Sequence, residues 1–101
     1  MRKIVTARFR IAGKVWRWVY RPMRSCWGLC DYTNRRITID PRHGDGLALL
    51  DTEIHEALHA LQAFANEEHT ADVATNLAQI LHGLGYRRTD AVEQGRAYVG
   101  E

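Results

Sequence analysis

Residues 49–60 read LLDTEIHEALHA, and the spacing of the apolar residues in and around this stretch decides how the middle of the chain folds. The larger apolar side chains recur at intervals of three and four residues, at Leu47, Leu50, Ile54, Leu58 and Leu61. That period is typical of an amphipathic α-helix with one apolar face. The pattern predicts a helix over residues 47–65.

Two histidines in this helix, His55 and His59, are four residues apart and therefore share one face, with Cβ atoms roughly 6 Å apart. This spacing lets both imidazoles reach one tetrahedral zinc ion at about 2.0–2.1 Å. Glu56 is rotated by about 100° from His55 around the helix axis, so it does not share the ligand direction. We therefore interpret Glu56 as a candidate general base for a water activated by the metal.

A catalytic zinc ion of this kind needs a third protein ligand. The candidates downstream of the two histidines are Glu67, Glu68, His69 and Asp72. The metzincin spacing is excluded, because it would need a glycine and a histidine where the chain has Gln62 and Ala65.

The sequence ranks these four candidates without deciding between them. Glu68 ranks first and Asp72 last, and Asp72 is better suited to accept a hydrogen bond from a ligand histidine. Helical geometry alone would choose His69, which aligns with the apolar face of the following helix. Glu67 also remains a candidate for the third ligand.

The N-terminal third of the chain has the patterns of β-strands. Residues 3–11 alternate between apolar and polar side chains, as a half-buried strand does. After a turn at Ala12-Gly13, residues 14–21 are rich in β-branched and aromatic side chains, which predicts a hairpin. Residues 36–40 form a third predicted strand, whereas residues 22–35 look irregular. We expect a three-stranded antiparallel sheet.

A second long helix and a short third one are predicted after the first helix. Asn66 is placed to cap the second helix, and Gly83 or Gly85 to end it. Its predicted core face consists of Val73, Leu77, Ile80, Leu81 and Leu84. Asp90 and Glu93 have the spacing of a capping box for the short C-terminal helix.

Length and composition indicate one soluble α+β domain over residues 1–101. Hydrophobic residues make up 46% and charged residues 26%, which is ordinary for a globular protein. No run approaches the roughly 18 apolar residues of a membrane span, and no secretory signal is recognisable. Cys26 and Cys30 do not form a disulfide framework, so we expect reduced thiols and a cytoplasmic location.

Charge is distributed unevenly along the chain. Residues 1–30 contain eight basic side chains and no acidic one, whereas residues 31–101 contain six basic and twelve acidic side chains. Such a split indicates either an anionic partner or a basic sheet face matched to acidic helices, and we favour the second. We therefore expect only weak, sequence-independent contact with nucleic acid.

The order of these motifs resembles the minimal gluzincin metallopeptidases. LLDTEIHEALHA is followed by EEHTADVATNLA at residues 67–78, and Glu68, Ala71 and Asp72 match the E-x-x-A-(N/D) helix of ImmA/IrrE-type peptidases. The chain is also similar to small HExxH proteins of phages and prophages. The segments that carry this second likeness are GLCD at 28–31, ITI at 37–39 and LGYR at 84–87. SprT-like proteases are a more distant comparison.

The resemblance implies a zincin-like core and a zinc-dependent metallopeptidase. Zinc would be held by His55, His59 and Glu68, with Glu56 as base and Asp72 supporting a ligand histidine. The alternatives are a non-catalytic zinc-binding regulator and a nucleic-acid-associated module that uses the basic hairpin.

The resemblance also suggests how a peptide or protein substrate would bind. Zincins commonly pair an extended peptide with the strand before the helix, and residues 36–40 are the candidate edge. An oxyanion stabiliser is expected as well. Tyr86, Arg87 and His82 are available for it, but nothing in the sequence places them at the site.

Overall fold

The computed structural model describes residues 6–43 and 46–88, which form a four-stranded sheet and two helices. The elements follow in the order β1 (Thr6–Ile11), β2 (Lys14–Tyr20), β3 (Gly28–Asp31), β4 (Arg36–Ile39), α1 (Gly46–Leu61) and α2 (Glu67–Gly83). The expected α+β class is confirmed.

The first two strands form the predicted hairpin. They pair antiparallel from Thr6 opposite Val19 to Ile11 opposite Lys14. The turn between them has positive φ angles of 50° at Ala12 and 82° at Gly13. A two-residue turn with both φ values positive matches the twist of the flanking strands, so this turn sets the register of the hairpin.

The rest of the sheet differs from the prediction of three antiparallel strands, which is wrong in two respects. A further strand, β3, lies inside residues 22–35, and β4 runs parallel to β2, from Arg17 opposite Arg36 to Tyr20 opposite Ile39. The strand order is β1-β2-β4-β3. The sequence did not reveal β3 because a strand of four residues is too short to show alternation of apolar and polar side chains. The strand also begins with glycine, which is uncommon inside strands.

This order also overturns the expectation that residues 36–40 supply the free edge. β4 lies between β2 and β3, and β3 is the outer strand on that side of the sheet. Helix α1 packs against β3 and β4. The edge strand beside α1 is therefore β3.

The core lies between the sheet and α1. Val19, Ile37 and Ile39 are completely buried, and Tyr20 and Leu49 are nearly so. The Tyr20 hydroxyl donates a hydrogen bond to Glu53 on α1, and Arg88 donates to that same hydroxyl at 2.9 Å. These hydrogen bonds join the sheet to α1 and to the segment after α2.

The two helices are connected by a short turn. α1 ends at Leu61, earlier than the predicted residue 65, and Ala65 N donates to Gln62 O at 3.0 Å within the turn. Asn66 caps α2 as predicted, because its side chain accepts a hydrogen bond from His69 N at 2.7 Å. The predicted C-terminal helix at Asp90 lies outside the described residues.

The predicted core face of α2 is wrong. The helix buries the small residues Thr70, Ala74 and Ala78 against α1, while Leu77, Ile80 and Leu84 are 39%, 55% and 70% exposed. In the same way, α1 buries Leu49, Thr52, Glu56 and Ala60. The larger side chains of its apolar stripe are half-buried, and Leu61 at its end is exposed. Small side chains let the two helix backbones approach closely, and this contact outweighs the burial of the larger ones.

Neither helix in the described part of the chain is long and apolar enough to cross a membrane.

Replacing a core isoleucine tests this assignment of the core. Ile37→Ala should lower the free energy of unfolding by about 2–5 kcal/mol, because Ile37 is completely buried and the change leaves a cavity. The matched control is Ile80→Ala on the exposed face of α2, which should stay within about 0.5 kcal/mol of the wild type. Urea denaturation followed by circular dichroism measures both. Equal losses for the two variants would contradict the observed packing.

Candidate metal centre

The two histidines of α1 direct the same ring nitrogen towards one point. His55 Nε2 lies 3.1 Å from His59 Nε2, and the ring centroids are 4.7 Å apart. Their side chains are about one-fifth exposed, so they lie at the border between core and solvent. The predicted pairing of His55 and His59 on one helix face is confirmed.

The third donor comes from the start of α2. Glu67 Oε1 lies 2.6 Å from His55 Nε2, and Glu67 Oε2 lies 3.0 Å from His59 Nε2. Asn66 ends the turn and begins the helix, so Glu67 is its first residue and lies opposite the last turn of α1. The carboxylate thus faces both imidazoles.

These three side chains fit a metal ion. One ligand atom from each of His55, His59 and Glu67 lies within 4.8 Å of the others. Two nitrogens bound tetrahedrally at about 2.0–2.1 Å are about 3.3 Å apart, close to the 3.1 Å between the two Nε2 atoms. Two imidazoles and one carboxylate are also the ligand set of one class of catalytic zinc site, which keeps its fourth position open.

The structure brings Glu67, rather than Glu68, to the histidines. Glu68 is the next residue along α2 and is turned by about 100° from Glu67. Together with His69 and Asp72, it lines a separate surface pocket that also includes Asn66, Ala71 and Thr75. The sequence could not make this distinction, because it depends on where the turn at residues 62–65 ends and α2 begins.

Glu56 is placed differently from the three donors. It is 8% exposed and packs against β3, with burial raising the pKa of its carboxyl above the usual value. It lines a cavity of about 540 Å³ together with His55, His59 and Glu67. Glu56 is therefore next to the cluster without belonging to it, as predicted from its position on the helix.

The close approach of Glu56 to the sheet depends on Gly28. A Cβ atom added to Gly28 would lie 2.8 Å from both Cγ and Oε2 of Glu56, and 3.0 Å from Thr52 Cγ2. Such distances are too short for side-chain contacts, so only glycine fits here without displacing the carboxylate. Gly28 lies in the stretch 22–35 that looked irregular in the sequence, so this role was not predicted.

Cys30 and Tyr32 border the same cavity from the sheet side. Burial raises the pKa of the Cys30 thiol to about 11, so the thiol is protonated at neutral pH. The Tyr32 hydroxyl donates a hydrogen bond to His59 O at 2.8 Å, which ties β3 to the end of α1. Both cysteines are free thiols, as expected.

The polar residues considered as oxyanion stabilisers lie elsewhere. Tyr86 lines a pocket with Leu84 and Gly85, and Arg87 donates to the carbonyl oxygens of His82 and Tyr86. The end of α2 lies near the start of α1, since a Cβ added to Gly46 would be 4.0 Å from His82 Nε2. The histidine pair belongs to the opposite end of α1.

No protein-family model matches the chain, and no curated protein or solved structure shows significant similarity to it.

A pair of neighbouring variants separates the candidate third ligands. Loss of only the hydrogen-bond partner of a ligand costs roughly 10–100-fold in metal affinity. Glu67→Gln removes a charged ligand itself, so it should weaken zinc binding by more than that. Glu68→Gln makes the same chemical change one residue further on and should leave the affinity unchanged. Competition calorimetry of the refolded apoproteins with a chelator measures both. A larger loss in Glu68→Gln would restore the ranking made from the sequence.

Proposed function

We propose that this protein is a zinc-dependent metallopeptidase that hydrolyses a peptide bond in a peptide or protein substrate. The observation that carries the proposal is the combination of three converging donor atoms with a separate buried carboxylate beside them. His55, His59 and Glu67 would hold the metal, and Glu56 would act as the base. The resemblance to minimal gluzincin peptidases points to the same chemistry.

A zinc ion held by these ligands would supply a Lewis acid for the substrate carbonyl and would make a water molecule more acidic. The protein's own part is to fix the geometry. His55 and His59 are held in register by α1, and Glu67 by the cap of α2. Because the donors come from two helices that pack together, the site is preorganised by the fold.

Glu56 would move the proton. Its carboxylate is held against Gly28 beside the histidines, so one oxygen can accept the proton of the attacking water and deliver it to the leaving amine nitrogen. A regulator that only stores zinc would have no use for this group. Burying a carboxylate away from water costs free energy, and a function in proton transfer accounts for that cost.

The edge strand β3 is the proposed place for the substrate backbone. β3 is the outer strand of the sheet, and Gly28, Leu29, Cys30 and Tyr32 line the cavity that contains Glu56. An extended peptide can add to such an edge through main-chain hydrogen bonds. A peptide bound there would have its scissile bond alongside α1. The strand that would pair with the substrate is therefore β3 instead of residues 36–40.

Removing the base tests the proposal. Glu56→Gln should keep one zinc per chain and lower peptide hydrolysis by about 10²–10⁴-fold, since the amide cannot accept the proton. The measurement uses a proteome-derived peptide library with mass-spectrometric detection of cleavage, and zinc is counted by elemental analysis. Glu68→Gln, a carboxylate lost outside the cavity, should cleave like the wild type. Loss of zinc from Glu56→Gln would show that Glu56 is a ligand instead.

The contact between Gly28 and Glu56 gives a second test of the same chemistry. Gly28→Ala should displace the Glu56 carboxylate and slow hydrolysis by about 10²-fold, the effect of moving a reacting group by about 1 Å. Zinc content should not change. Gly83→Ala is the control, because a Cβ at Gly83 meets nothing within 4 Å. Full activity in Gly28→Ala would mean that the position of Glu56 does not limit the reaction.

A further inference from the structure

A second cavity adjoins the one beside the metal cluster. It has a volume of about 370 Å³, and His55 and Glu56 line it as well as the cavity beside the metal cluster. The remaining lining residues are Trp27, Gly28, His43, Ala48, Asp51 and Thr52. Among them, His43 has a ring N–H that can donate a hydrogen bond.

The imidazole of His43 is fixed on two sides. Its Nδ1 lies 2.6 Å from Thr52 Oγ1, and its ring stacks on Trp27 with centroids 4.5 Å apart and an interplanar angle of 3°. An exposed loop histidine would ordinarily sample several rotamers. Here α1 and the segment leading into β3 each supply one contact, so the ring has a defined orientation beside Glu56.

The loop that carries His43 is anchored just before it. Asp40 is completely buried and accepts hydrogen bonds from Met23 N at 2.8 Å and from Arg42 N at 2.9 Å. Burial alone would raise the pKa of Asp40, but the hydrogen bonds from Arg42 and Met23 lower it by more. The net shift is downward, so the carboxyl group stays ionised. Asp40 N also donates to Trp27 O at 2.8 Å, which links the loop to the residue that stacks on His43.

We propose that His43 is a further catalytic residue: its Nε2–H donates a hydrogen bond to the carbonyl oxygen of the substrate as negative charge develops there. This inference rests on the proposed peptidase function. The Thr52 hydroxyl has a single proton, and its contact to His43 Nδ1 is shorter than its 3.2 Å contact to Ala48 O. Donation by Nε2 requires the Thr52 hydroxyl to direct its proton to Nδ1 instead of Ala48 O, so that the neutral ring carries its own proton on Nε2.

His43 would be the oxyanion stabiliser of the site. The residues considered for this role from the sequence, His82, Tyr86 and Arg87, lie at the far end of α2. A fixed donor aimed at developing charge stabilises the transition state more than the ground state, because it need not reorganise during the reaction. His43 meets that requirement, since its ring is held before any substrate arrives. It also faces the cavity from the loop, whereas the metal cluster and Glu56 belong to the helices.

The test compares His43→Phe with the wild-type zinc-loaded protein. Phenylalanine keeps the stack on Trp27 but lacks Nε2, so kcat should fall by about 10²–10³-fold, the cost of losing one oxyanion donor. KM and zinc content should stay unchanged, and the affinity for a phosphonate peptide that mimics the charged tetrahedral state should fall in parallel. His82→Phe is the control, at a half-buried position in the last turn of α2. Nitrogen-15 NMR of His43 should show the proton on Nε2 at neutral pH.

The outcomes separate the role of His43 from the peptidase function. Wild-type kcat and phosphonate affinity in His43→Phe, or a neutral ring protonated on Nδ1, would overturn the assignment of His43 and leave the peptidase proposal standing. Loss of zinc from His43→Phe would also overturn it, because His43 would then act on the metal site. Wild-type protein that holds zinc but neither cleaves the peptide library nor binds the phosphonate would refute both.

Discussion

Helix α1 meets the edge strand β3 at Gly28, where the missing side chain makes room for Glu56. This contact fixes both the distance of the helix from the sheet and its rotation about its own axis. Once Glu56 faces β3, the helical period turns His55 and His59 towards the start of α2. A larger residue at 28 would push out the carboxylate and alter the setting of the whole helix.

The small size of the domain explains why its functional groups are tied so closely to its frame. The turn after Leu61 and the cap at Asn66 place Glu67 against the histidines. The Tyr32 hydroxyl holds the end of α1 to β3, and buried Asp40 holds the loop with His43. The candidate functional side chains therefore come from three segments, α1, the start of α2 and the loop with His43, and each segment is fixed by at least one polar contact nearby.

The sequence predicted what depends on local spacing. The i, i+4 histidines, the separate direction of Glu56, the hairpin and the Asn66 cap all follow from the period of a helix or strand, and all are found in the structure. It failed where distant segments meet. The parallel pairing of β2 with β4 has no local signature, and β3 is too short to show one. The choice of Glu67 depends on the turn between the helices. The close approach of Gly28 to Glu56 and the role proposed for His43 depend on how the loop, the edge strand and α1 lie side by side.

The same limit explains the wrong core face of α2. Hydrophobic periodicity favoured the leucine and isoleucine stripe, yet the helix packs through Thr70, Ala74 and Ala78. Periodicity identifies an apolar face but not the neighbour that covers it. In the described residues α2 packs on α1, and the close fit of small side chains decides which way it turns.

We propose that His55, His59 and Glu67 hold one metal ion while Glu56 remains beside it. A crystal structure of the zinc-loaded protein, with anomalous scattering collected at the zinc edge, tests this most directly. We expect one peak per chain at about 2.0–2.1 Å from both Nε2 atoms and from a Glu67 oxygen, with Glu56 unligated against Gly28. A peak coordinated by Glu68 or His69, or no peak at the histidine pair, would contradict it.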